Sequence, residues 1–179
     1  YKSQVDVPGE GAEWMAFRDV PHGTLHEHWY VNKDNGTARR VVVYTPPGYG
    51  AGTDKYPVLY LLHGANDFER GWTQTGRANW IMDNLLADSK AKPALIVMPF
   101  GHEVSGATGK LPEVRVVQEM LGVKPAGAPS GAGGAAGAGS GGPGGRGGVG
   151  YMERDLLGNV IPLVEKEYRV VKDPNHRAI

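Results

Sequence analysis

The residues able to do chemistry gather in one stretch. Behind the apolar run of residues 58–62 come His63, Gly64, Ala65, Asn66 and Asp67, followed by Phe68 and, a little later, Gly71-Trp72. A glycine at the end of a buried strand lets the backbone turn sharply and come close to whatever binds at the strand's carboxyl end. An imidazole at that point suits a structural role, its ring fixing the loop through a backbone hydrogen bond. Asn66, Asp67 and Phe68 are placed to line the mouth of a crevice, and Trp72 to wall it, since pockets are lined by such aromatic residues. The substrate-binding candidates are therefore His63, Gly64, Asn66, Asp67 and Trp72. A triad drawn from His63, Asp67 and a nearby serine lacks support in the spacing, because the serine needs a base within about 3 Å that is itself oriented by a third group.

Other nucleophiles and ligands are scarce. None of Ser3, Ser89, Ser105, Ser130 and Ser140 stands in a G-x-S-x-G turn, and the absence of cysteine excludes thiol nucleophiles, disulfides and cysteine-ligated zinc. His26 and His28 share one side of a strand and, with His22, could be read as a metal site. Zinc also wants a further ligand and a supporting shell, so a solvated face is the better reading, and neither a metal nor a cofactor is expected. Arg39-Arg40 reads as an exposed edge. Glu165 and Arg169, at i and i+4, read as a surface pair worth tenths of a kcal/mol.

The elements that must position these residues follow from periodicity. Residues 58–62 lack the alternation of a half-wet strand and suit an interior strand of a mostly parallel sheet. Residues 77–87 are helical, with Trp80, Ile81, Leu85 and Leu86 on one side. Residues 94–98 form a second buried run that ends at Pro99-Phe100-Gly101-His102, its carboxyl end pointing into the same crevice. Before these, residues 24–31 alternate, Asn35-Gly36 signals a type I′ hairpin turn, and residues 39–44 return as the partner strand. Residues 45–55 are a loop. Residues 151–168 are helical with a bend at Pro162, and residues 176–179 begin another strand.

Two segments stand apart. Residues 1–23 show no period and read as a linker or an arm on the surface, pinned by Trp14 and Phe17. Residues 122–150 hold fourteen of the chain's twenty-eight glycines and six alanines, which marks a Gly-rich surface loop, an insertion, and a candidate lid over the site.

Composition bounds the rest. A chain of 179 residues suits one domain with a real core. Nineteen basic residues balance nineteen acidic ones, so neither a nucleic acid nor a membrane is an expected partner. No apolar run approaches the length of about 20 residues that spans a bilayer. The chain starts at Tyr1 with no export signature, and the expectation is that any leader or leading domain has been removed.

The order of several motifs resembles the esterase branch of the α/β-hydrolases, and within it the bacterial feruloyl and acetyl-xylan esterases of the first carbohydrate esterase family. The motifs are Tyr56-Pro57-Val58-Leu59-Tyr60-Leu61-Leu62-His63-Gly64, Gly71-Trp72, Gly76-Arg77-Ala78-Asn79 and Asp83-Asn84-Leu85-Leu86-Ala87. Asp19-Val20-Pro21-His22-Gly23, Tyr44-Thr45-Pro46-Pro47-Gly48-Tyr49, Lys90-Ala91-Lys92-Pro93 and residues 173–179 support them, so that the likeness covers about residues 19–121 and 151–179.

The resemblance implies an α/β fold: the N-terminal half of an α/β-hydrolase-type, mostly parallel sheet flanked by helices, with an antiparallel hairpin at its start, occupying residues 24–179. It implies that the strand near Arg177 runs into the nucleophile elbow, so the serine and the rest of the triad are expected beyond Ile179. The backbone N–H of Ala65 is then one oxyanion donor. The substrate implied is feruloylated or acetylated xylan or an oligosaccharide, and the place is secreted or periplasmic. The resemblance also implies that the strand of residues 58–62 sits between that of residues 94–98 and the one near Arg177, with further strands beyond; the remaining half of the domain is expected from a second chain or from further residues, because an apolar sheet edge is otherwise exposed. A second reading is a catalytically incompetent carbohydrate-binding or scaffold fragment, and a third is an esterase of the same family acting on a small-molecule ester.

Overall fold

The computed structural model describes residues 12–64, 67–102 and 147–179. Among the described residues five strands, β1 (Thr24–Val31), β2 (Ala38–Thr45), β3 (Val58–Tyr60), β4 (Leu95–Pro99) and β5 (Arg177–Ala178), make one mixed sheet in the order β1-β2-β4-β3-β5. β1 and β4 both run antiparallel to β2, while β4, β3 and β5 are mutually parallel neighbours. β3 thus lies between β4 and β5, as the motif order implied.

Side chains alternate across the sheet, so each valine-rich strand feeds two cores. On one face Val41, Val43, Val58, Tyr60, Leu95 and Val97 pack with Leu156, Val160 and Val164 of the C-terminal helical segment. On the other, Val42, Tyr44, Ile96 and Met98 pack under Leu61, Trp72 and Met82. Fully burying a valine or leucine contributes about 1.5–3 kcal/mol, and this two-faced burial explains why β4 reads as an unbroken apolar run.

Among the described residues the α-helices are α1 (Gly71–Gln74), α2 (Ala78–Ala87), α3 (Gly147–Asp155) and α4 (Ile161–Glu167). α3 and α4 are joined by a π-helical segment, Leu156–Val160. Pro162 has no N–H to offer the carbonyl of Gly158 one turn back, and Lys33 Nζ bonds that oxygen instead at 3.2 Å. The expected bend is therefore a widened turn. Residues 147–150, assigned by sequence to the Gly-rich loop, open α3, and residues 122–146 lie outside the described residues. Among the described residues no helix is long and apolar enough to cross a membrane.

Several local readings are corrected. The β1–β2 connection is not a two-residue type I′ turn, which needs positive φ at both Asn35 and Gly36; only Gly36 has it (φ 68°). Asn32 builds a longer turn instead, its Oδ1 accepting the N–H groups of Asp34 and Asn35 at 2.8 and 3.2 Å. The histidine side of β1 is not solvated. His26 bonds Thr45 Oγ1 at 3.0 Å and His28 bonds the Tyr168 hydroxyl at 2.5 Å, whereas Trp29 and Val31 on the other side stay 63% and 64% exposed. Arg39 is buried rather than at an exposed edge. Glu165 and Arg169 do not pair: Glu165 takes Arg177 and Lys172, and Arg169 lies over the Tyr49 ring at 4.0 Å.

Residues 12–23 lie along α2, held by polar contacts more than by Trp14 and Phe17, which stay 48% and 64% exposed. Asn84 Nδ2 donates to the carbonyls of Trp14 and Ala16 at 2.9 and 2.8 Å. Asp83 accepts from Gly23 N at 2.9 Å and faces His22 Nδ1 at 2.9 Å.

Candidate active site

β3 and β4 are parallel, so both end on the same rim of the sheet. The ladder runs one residue past β3, with Leu61 N donating to Val97 O at 2.8 Å, and His63-Gly64 leave the rim just beyond. From β4 the chain passes through Phe100, Gly101 and His102 on the same side.

The two turns are tied through His63. Gly101 N donates to His63 Nε2 at 2.9 Å, and His63 Nδ1 lies 2.9 Å from Gly64 O. A carbonyl can only accept and a backbone N–H can only donate, so the partners assign the proton to Nδ1 and the acceptor role to Nε2. The expected structural role of the His63 ring is thus met by two bonds, one to its own loop and one to the neighbouring turn. His102 stacks obliquely on His63 with centroids 4.7 Å apart, and its Nε2 reaches Asp67 O at 2.9 Å.

The remaining candidates fall nearby. Asp67 N donates to Gly64 O at 3.3 Å, and Asp67 Oδ1 accepts from Phe68 N at 3.0 Å, which folds the loop towards the start of α1. Trp72 Nε1 donates to Leu62 O at 3.0 Å while its ring packs on Val42, Tyr44, Ile96 and Met98. It therefore fastens α1 to the end of β3 from beneath. Ala65 and Asn66 lie outside the described residues.

Sequence reasoning missed Arg39. Its guanidinium donates to His102 O at 2.6 Å and Phe100 O at 2.5 Å, stands 3.5 Å from Asp155 Oδ2, and lies over the rings of Phe100 and Tyr151 at 4.9 and 5.1 Å. No local pattern announces its burial, since the carbonyls it holds lie 61 and 63 residues away. Among the described residues no group of three His, Cys, Asp or Glu side chains could hold a metal ion. His26 and His28 converge on the Tyr168 ring, at 5.7 and 5.6 Å, while His22 lies apart, with Asp83.

Residues 33–119 match the family described as "Esterase: Putative esterase". An endo-1,4-beta-xylanase/feruloyl esterase of Xylanibacter ruminicola is 37% identical over 106 residues, which is 56% of this chain and 15% of that protein. A solved ferulic acid esterase superposes with a TM-score of 0.59 at 24% identity, covering 88% of this chain and 49% of its own. A ferulic acid esterase from Anaeromyces mucronatus, solved in complex with ferulic acid, superposes with a TM-score of 0.65 at 21% identity, covering 99% of this chain and 55% of its own. The chain thus spans about half the length of the solved esterases and a smaller part of the curated relative. In its central stretch it resembles an endo-1,4-beta-xylanase/feruloyl esterase, and in its fold it resembles ferulic acid esterases of known structure.

Proposed function

We propose that this chain carries the oxyanion-binding half of a serine carboxylester hydrolase of the feruloyl/acetyl-xylan esterase type, which cleaves ester groups on plant cell-wall polysaccharide outside the cell. The observation that carries this reading is the His63-Gly64 turn at the carboxyl end of β3, flanked by two parallel strands and lying within the stretch that matches the esterase family.

In this reading the Ala65 N–H is one donor to the tetrahedral oxyanion, and the residue after the serine supplies the other. His63 Nδ1 holds the Gly64 carbonyl, at the end of the described part of that loop. The serine follows β5, which runs parallel to β3 and ends on the same rim. Histidine activates it, the acyl group transfers to its oxygen, and water then releases the acid. His63, Gly64, Asn66, Asp67 and Trp72 line or support the substrate crevice. The strands beyond β5 come from further residues or from a second chain.

Hydrolysis of a feruloyl or acetyl sugar ester is measured with residues 1–179 alone and with a polypeptide extended through the G-x-S-x-G serine. Only the extended form is expected to turn over, with a fluorophosphonate labelling its serine. Turnover by residues 1–179 alone would place the nucleophile inside them. An extended form that binds xylo-oligosaccharide without cleaving any ester would replace this reading with a carbohydrate-binding one. In the active form Ala65→Pro, which removes the N–H, is expected to lower kcat by about 10²–10³-fold, while Ala65→Gly keeps the donor and most of the rate.

A further inference from the structure

A buried ion pair is weak evidence of a stabilising role, since desolvation offsets most of the attraction and a well-packed apolar group often serves as well. Arg39, 2% exposed, faces Asp155, also 2% exposed, at 3.5 Å, and that carboxylate is further held by the Tyr30 hydroxyl and Asn32 Nδ2, both at 2.7 Å, and by Asn159 Nδ2 at 3.0 Å. The arrangement is explained by where the guanidinium points. Its two terminal nitrogens hold the carbonyls on either side of Gly101, those of Phe100 and His102. With both neighbouring carbonyls clamped by one planar fork, the Gly101 N–H has a single direction, and it aims at His63 Nε2. His63 in turn holds Gly64 O through Nδ1.

We propose that Arg39 is a positioning residue of the proposed ester-cleaving site. It fixes the Phe100–His102 turn, the turn fixes the His63 ring, and the ring holds the Gly64 carbonyl, in the loop proposed to carry the oxyanion donor. The catalytic half of this statement rests on the esterase reading above, whereas the relay from Arg39 to His63 does not. Lysine keeps the charge but presents a point donor in place of a fork, so it cannot hold both carbonyls in the same geometry.

The test combines two readouts on Arg39→Lys. In residues 1–179, the nitrogen-15 spectrum of His63 is expected to show one neutral tautomer, protonated at Nδ1, in the parent and an averaged pair of tautomers in the variant. In the extended, active polypeptide the variant is expected to lose roughly 10²-fold in kcat with KM little changed, the size of effect that follows from a misplacement of about 1 Å. Arg39→Gln, uncharged and able to hold one carbonyl, carries the same readouts if the lysine variant does not fold. A folded variant with an unchanged His63 tautomer overturns the relay. A changed tautomer with unchanged kcat overturns the positioning role. If the parent hydrolyses no ester, the esterase reading fails instead, and the tautomer alone then decides the relay.

Discussion

Met152 Cε occupies the place where a side chain on Gly101 would begin, so helix α3 closes directly over the turn after β4. Gly101→Ala is expected to destabilise the fold by about 1–2 kcal/mol, at the low end for overpacking because the obstacle is the flexible tip of a methionine. The added methyl should be tolerated once that tip is removed. Denaturant unfolding of Gly101→Ala, Met152→Ala and the double variant tests this, and an equal cost of the alanine in both backgrounds would show that Met152 is not what excludes it.

The Tyr44 hydroxyl donates to Asp83 Oδ1 at 2.6 Å in a fully buried setting, and burial together with that bond raises the phenol well above its ordinary range. Tyr44→Phe leaves a buried carboxylate short of a donor, and a hydrogen bond to a charged group is worth about 1.5–3 kcal/mol. A loss of that size is expected in urea unfolding. The contacts of Asp83 with Gly23 and His22 should persist, so the amide of Gly23 should keep its protection from exchange. A change under about 0.5 kcal/mol would mean that the bond contributes little.

The parts legible in the sequence were those where one property dominates. The runs 58–62 and 94–98 are apolar on both faces because helices cover both faces, and their order beside the strand at Arg177 followed from the family motifs. The illegible parts are polar residues doing a core residue's work. Asp83 and Asn84 are the buried positions of α2 along with Ala78, while the apolar Trp80, Ile81, Leu85 and Leu86 are only partly covered. Their partners, Gly23 and Ala16, lie 60 and 68 residues away, so no local pattern announces them. β1 misled for a related reason: its histidines are sheltered by Tyr168, which sequence places 140 residues from His28. At the candidate site the His63-Gly64 turn was legible and its attachment to Gly101 was not.

His26 sits under Tyr168 with its imidazole held below the ordinary value of 6.5, first by burial and then by the neighbouring His28. The folded chain therefore takes up that proton less readily than the unfolded one. The stability contributed by keeping His26 neutral is fully present above pH 6.5 and is lost as pH falls through the lower folded value. Melting temperatures of the parent and of His26→Gln, measured from pH 7.5 to 5, are expected to converge towards the acid end, the parent falling more steeply. Parallel curves would remove His26 from the account.

Asn32, fully buried at the end of β1, uses both halves of its amide. The oxygen accepts from Asp34 and Asn35 and shapes the turn, while the nitrogen donates to Asp155 Oδ1 and joins the hairpin to helix α3. Asn32→Ala loses both and is expected to cost about 2–4 kcal/mol, several bonds including one to a carboxylate. Asn32→Asp separates the two roles. It keeps an acceptor for the turn but faces Asp155 with a second carboxylate, a like-charge contact in a buried place. Both variants should be destabilised, yet under conditions where each is folded the amides of Asp34 and Asn35 should keep their exchange protection in the aspartate variant and lose it in the alanine variant. Protection retained equally in both would mean that the turn is held by its backbone bonds, Gly36 N to Asn32 O at 2.8 Å and Asn32 N to Thr37 O at 2.9 Å, and not by the side chain.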